Sequence, residues 1–249
     1  MKKIIALVLA LVMIFALCAC GKKSATVSSG KLIMATNASF PPYEFISDDG
    51  STIVGIDAEI AAAIAKKLNL ELVIEDMEFA SILTAVQTGK VDIGMAGMTV
   101  TEERLQNVNF SSTYATGIQS VIVPEGSEIK SVDDLVGHMI GVQESTTGHI
   151  YCEDDFGSEY VTAYANGATA VQALLSGKVD CVVIDNEPAK NYVAANEGLM
   201  ILDTEYAVED YAISVAKEKT ELLDSINKAL EELTADGTIK SILDKYIAA

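Results

Sequence analysis

The chain has 249 residues, is 50% hydrophobic and carries a formal net charge of −19. That suffices for one or two lobes with real cores, and 17 Gly and 4 Pro without a low-complexity run argue against disorder. The acidity and the lack of any Lys/Arg cluster argue against nucleic acid as a partner.

Residues 1–19 read as a signal peptide. "MKK" gives a positive start, and residues 4–17 are an apolar run shorter than the ~20 residues of a comfortable membrane span. "LCAC" resembles a bacterial lipobox, with cleavage before Cys20 and lipid on its thiol. The alternative is an ordinary signal peptide or anchor helix. Residues 20–30 then form a lipidated N-terminus and polar tether. The expected location is extracytoplasmic, lipid-anchored to the cell membrane and otherwise soluble. Of the remaining cysteines, Cys152 and Cys181, export permits a disulfide, although Cys181 falls in a core strand where a free thiol packs as a small hydrophobe.

Residues 32–35 predict a strand, and "NASFPPYEF" a loop, because paired prolines stop helix and central strand alike. An edge strand at 52–54 precedes a helix over 57–68, where Ile60, Ala61, Ile64, Ala65 and Leu68 keep helical spacing. A strand follows at 71–74, then a helix over 79–88 with Gly89 as its C-cap and a buried strand at 91–95. This β-α-β-α-β order predicts a parallel sheet covered by helices. A second copy begins near Gln119. It has a short helix capped by Ser131 with Asp134 as in a capping box, and a strand at 139–142. The loop "QESTTG", a strand at 160–163, a helix at 168–176 and a strand at 179–184 follow. Pro188 stands in the first turn of the next helix, and two terminal helices are expected over 220–233 and 238–247.

"TGKVDIGMAG" (88–97) and "SGKVDCVVID" (176–185) are one helix-turn-strand unit used twice. Ligands of open α/β sheets bind beyond the carboxyl ends of the strands, where one copy places Gly97 and the other Asp185. Just past Gly97 lies Arg104, the only arginine in the chain. Its planar fork matches a carboxylate, and Thr99 and Thr101 add hydroxyls and N–H groups. The plainer reading is a surface ion pair with Glu102 or Glu103. Thr146 and Thr147 of "ESTTG" offer a second anion-friendly place or simply cap a helix. Asp185 receives an ammonium or caps the helix at Pro188. Phe40, Tyr43 and Phe79 are slot walls or core. A carboxylate clamp facing an ammonium acceptor suits a free α-amino acid.

At this point the chain resembles the extracellular solute-binding proteins of family 3, which serve ABC importers of polar amino acids. "FPPYEF", "GIDAEIAAAIAKKL", "VDIGMAGMTVTEER", "VQESTTG" and "VVIDNEPA" carry the likeness, over residues 31–249. It implies an α/β fold of two Rossmann-like lobes joined by a two-strand hinge, the type II periplasmic-binding-protein arrangement. Lobe I would be 31–116 plus 210–249, and lobe II 117–209, with hinge segments near 115–119 and 207–211. By position, Arg104 would hold the α-carboxylate with Thr99 and the Thr147 backbone. Gly97 O and Asp185 would hold the ammonium, and Phe40 and Phe79 would sandwich the side chain. Asn37 and Gln143 stand where relatives have Asp and Lys, and Ser145 where a Gly is usual. Glu44, Glu78 and Glu144 are candidates for an acid facing the side chain. No Lys or Arg occurs from residue 32 to 65, which disfavours acidic ligands. A cationic amino acid, arginine or lysine, is the first expectation, and neutral glutamine or cystine the second. The partners implied are an ABC permease and its ATPase. No cofactor, metal or nucleic acid is implied, and the protein is expected to be a monomer. A sensor module and a cyclohexadienyl-dehydratase-like enzyme share the fold. The enzyme needs a general acid in the cleft, and neither His138 nor His149 falls on a cleft motif.

Overall fold

The computed structural model describes residues 26, 28–203 and 205–247. The signal peptide and the Cys20 lipid site lie outside them. The first apolar run forms β1 (Lys31–Thr36). The proline-containing segment is not all loop: it is folded into short strands β2 (Ser39–Phe40) and β3 (Glu44–Ile46), which continue to β4 (Ile53–Val54). Helix α1 (Ile56–Lys67) buries Ile56, Ile60 and Ile64 on one face, as the four-residue spacing requires. Then come β5 (Glu71–Asp76), α2 (Phe79–Gln87), β6 (Ile93–Gly94), α3 (Glu102–Asn107) and β7 (Val108–Phe110). Thr88 is the C-cap of α2, and Gly89, one residue on, takes the left-handed turn with φ +69°.

The chain then crosses to a second sheet through β8 (Ala115–Pro124), which contains the apolar run "TGIQSVIV" (116–123). The Ser131 helix is a 3-10 turn, Val132–Leu135, and it has the expected capping box with Asp134. Next are β9 (Ile140–Gln143), α4 (Thr147–Phe156), β10 (Val161–Tyr164), α5 (Gly167–Leu175), β11 (Cys181–Asp185), α6 (Asn186–Ala195), β12 (Leu199–Ile201) and β13 (Ala207–Tyr211). The chain returns as β14 (Ser214–Ala216) and ends in α7 (Thr220–Ala235) and α8 (Thr238–Tyr246).

The two large sheets are mixed rather than parallel. In the first, ordered β5-β1-β6-β14-β7, the returning strand β14 runs antiparallel to β6 and β7. In the second, ordered β10-β9-β11-β8-β12, the long strand β8 runs antiparallel to β11 and β12 and also pairs with β13. β8 and β14 are the strands that the chain enters after its two crossings between the sheets. Each sheet forms one of two α/β lobes. One apolar cluster runs from Met34 and Ile60 in the first lobe through Tyr43 and Tyr211 to Ile122 and Val182 in the second.

Cys152 and Cys181 are buried, free thiols in the apolar cluster of the second lobe, so no disulfide joins them. Burial pushes the Cys152 thiol up to about 12, which keeps it protonated and unreactive. No described helix is long and apolar enough to cross a membrane.

Candidate functional site

All ten candidate residues line one cavity between the lobes: Asn37, Phe40, Phe79, Gly97, Thr99, Arg104, Gln143, Thr146, Thr147 and Asp185, joined by Glu44 and Ala96. About 310 Å³ of space lies among these side chains, part of it open to solvent. The carboxyl ends of β6 and β11 supply Gly97 and Asp185, as the switch-point rule requires. Gly97 is in the left-handed region at φ +53°, and a Cβ there would stand 2.8 Å from the Phe40 ring. Glycine is therefore what lets the Phe40 ring approach this strand end.

Arg104 is positioned by its own helix. The Thr101 hydroxyl caps α3 by accepting the Arg104 backbone N–H at 3.1 Å. The buried guanidinium donates to Thr99 O at 2.8 Å and, across the cleft, to Ser145 O at 3.0 Å. Its carbon lies 5.5 Å from the centre of the Phe79 ring. Among the described ion pairs, Arg104 has none with Glu102 or Glu103, so the surface-pair reading falls. Ser145 holds a left-handed φ of +63°, which is why a glycine suits that position and how its carbonyl turns toward Arg104.

The two threonines of the "ESTTG" loop divide the work. Thr146 caps α4 by accepting the His149 N–H at 3.2 Å, while Thr147 donates to Glu209 at 3.0 Å. Asp185 stands at the N-cap of α6 yet makes no side-chain capping bond. Its carboxylate instead accepts from the Tyr211 hydroxyl and, at 3.0 Å, from Gln119 Nε2. Burial pushes Asp185 up to about 7. Asn37 and Gln143 meet directly, the Gln143 amide donating to Asn37 Oδ1 at 3.0 Å.

Among the three candidate acids the structure separates one. Glu44 lines the cavity and is fully buried, whereas Glu78 and Glu144 are exposed and do not line it. Sequence reasoning missed Glu209. This buried carboxylate on β13 accepts from Thr99 at 3.2 Å and from Gln119 and Thr147 at 3.0 Å each, tying β13, β8 and both hydroxyl-bearing loops together. Nothing in "AVEDY" marked it: Val208 faces out and Glu209 faces in, the reverse of ordinary patterning.

The sequence pattern of the bacterial extracellular solute-binding proteins, family 3, matches residues 32–249, and the chain belongs to that family. It is 35% identical to the arginine-binding extracellular protein ArtP of Bacillus subtilis (strain 168), over 99% of this chain and 98% of the relative. An ancestral arginine-binding protein bound to glutamine superposes with a TM-score of 0.85 at 40% identity, covering 89% of this chain and 100% of the other. An ancestral arginine-binding protein bound to arginine gives 0.82 at 42% identity, with 88% and 99% covered.

Burial raises Asp57 as well as Asp185 to about 7. Unfolded aspartates titrate near 3.9, so the folded chain binds protons more tightly between pH 4 and 7. Each group then makes stability fall as pH rises through that window, by at most about 1.4 kcal/mol per unit. Denaturant unfolding should accordingly show greater stability at pH 5 than at pH 8, with a shallower slope in Asp185→Asn. A profile that is flat or rises toward pH 8 contradicts the burial argument.

Proposed function

We propose that this protein is the extracytoplasmic substrate-binding component of an ABC importer, that it captures a free amino acid with a cationic side chain, arginine or lysine, and that it delivers it to the permease. The observation that carries the cationic reading is Glu44, a fully buried acid at the cavity with no basic side chain of its own. An uncompensated buried carboxyl is costly, and a guanidinium or ammonium supplies what it lacks. At the other end of the cavity, Arg104 with Thr99 and Thr147 takes the α-carboxylate, and Asp185 with the Gly97 carbonyl takes the α-ammonium. Phe40 and Phe79 form the walls against the side chain. Glu209 orients the Thr99 and Thr147 hydroxyls.

A second reading, a neutral polar ligand such as glutamine, has its own support in the Asn37–Gln143 amide pair. The solved relative bound to glutamine agrees with it. We read the protein as a binding protein rather than an enzyme, because its cleft charges are all engaged in anchoring. We further propose lobes of 31–116 plus 210–249 and 117–209, which close by a hinge at the two crossings of the chain. We also propose a monomer held at the cell membrane by lipid on Cys20.

A thermal-shift screen of the twenty amino acids and cystine tests the ligand class, since a ligand at 100 times its Kd stabilises by about 2.7 kcal/mol. Arginine or lysine should give the largest shift, and stabilisation by glutamate overturns the pocket argument. Arg104→Lys, which keeps the charge but loses the fork, should weaken binding by about 30-fold or more. Unchanged calorimetric affinity in that variant refutes the clamp.

The anchor has a separate test. Cys20→Ala should release the protein from the membrane fraction, because stable anchoring rests on more than one acyl chain. Retention at the wild-type level contradicts the lipidation reading.

A further inference from the structure

Behind the side-chain end of the cavity Glu44 has a second acid for company. Asp57, in the first turn of α1, is also fully buried. One Asp57 oxygen, Oδ2, accepts the Gly97 N–H and the Tyr114 hydroxyl at 2.9 Å each. The other Asp57 oxygen and both oxygens of Glu44 have no N–H or hydroxyl donor among the described residues. The titratable groups that act on Glu44 are the carboxyls of Asp57, Asp76 and Asp185 and the phenols of Tyr43, Tyr114 and Tyr192; none is a cation. Two bare carboxylates cannot both stay ionised in such a place. One proton resolves all of this. Asp57, already served by two donors, is the better anion, so the proton sits on Glu44 and is donated to the open Asp57 oxygen. Burial and the neighbouring carboxyls hold Glu44 well above the usual carboxylate range, in agreement.

We propose that Glu44 and Asp57 hold one proton between them, and that a cationic ligand side chain displaces it, so that arginine binding releases a proton through Glu44 and binding of a neutral side chain does not. The step balances: the Glu44 O–H bond breaks, the proton passes to buffer, and the guanidinium takes its place as the positive charge beside the pair. The cavity's net charge is unchanged, so a cation enters without an unpaired charge being buried. A neutral amide leaves the proton where it is and bonds the protonated carboxyl instead. One pocket thereby suits both side chains, and arginine should gain on glutamine as pH rises. This rests on the reading that the ligand side chain lies against Glu44. Asp185 also holds a proton more tightly than usual, but every amino acid presents the same ammonium to it. Its contribution therefore cancels between two ligands.

Calorimetric titration with arginine, and with its neutral isostere citrulline, in phosphate and in Tris at pH 7 counts the protons released. Arginine should release about one more than citrulline, and its affinity relative to that of citrulline should rise by up to about tenfold per pH unit between pH 6 and 8. Infrared difference spectra should show a protonated carboxyl band that is lost when arginine binds but not when citrulline binds, and Glu44→Gln should lack that band before any ligand is added. Equal proton release for the two ligands overturns the proposal. So does a band that persists in Glu44→Gln, and where citrulline gives no heat the infrared result decides. If arginine neither binds nor stabilises the protein, the reading of the ligand fails, and this inference with it.

Discussion

The structure turns on one buried cation. Arg104 is out of water, and desolvating a guanidinium costs several kcal/mol unless its surroundings repay it. Here it is met by the carbonyl of Thr99 on its own lobe and that of Ser145 on the other. These neutral carbonyls take two of its five N–H groups without cancelling its charge. The acid that acts on it most strongly, Glu209, is itself held by Thr99, Thr147 and Gln119. An anion that enters the cleft therefore finds a cation already oriented and stripped of water, which is where electrostatic attraction is strongest.

The opposite charge is built by the same device on the other sheet. Each copy of the helix-turn-strand unit delivers its strand end to the cavity, but one ends in Gly97 and the other in Asp185. Asp185 is kept at its place by Tyr211 and Gln119, which come from β13 and β8, the strands beside the crossings between lobes. Strand pairing is tight here. A Cβ on Gly117 of β8 would fall 2.0 Å from the Tyr211 hydroxyl. The crossing strands thus do two things, linking the lobes and holding the acid.

The sequence marked the cavity-lining residues better than the topology. Arg104 stood out as the only arginine, and Asp185 as a carboxylate ending an apolar run, because each breaks the composition around it. Helices such as α1 and α7 were legible from periodicity. The directions of β8 and β14 were not, since an apolar run carries no sign of which way its neighbour points. Glu44 stood in sequence among three candidate glutamates. Only burial, which depends on the β2-β3-β4 hairpins folding over the cleft, separates it from Glu78 and Glu144. Glu209 was hidden for the same reason: its inward direction is set by pairing with Gly117, not by its own strand. The Ser145 turn shows the converse, a departure visible in sequence whose backbone reason, a left-handed φ, appears only in the fold.

We propose that two fixed charges, Arg104 and Asp185, read the two charges on the α-carbon of an amino acid. Calorimetry with L-arginine and agmatine, which is arginine without its α-carboxylate, tests it most directly. Agmatine keeps the guanidinium and the amine, so everything except the carboxylate's contacts with Arg104, Thr99 and Thr147 is preserved. The account predicts that agmatine binds at least about 30-fold more weakly than arginine, the loss expected when a desolvated charge is left unpaired. Equal affinity for the two ligands would contradict it.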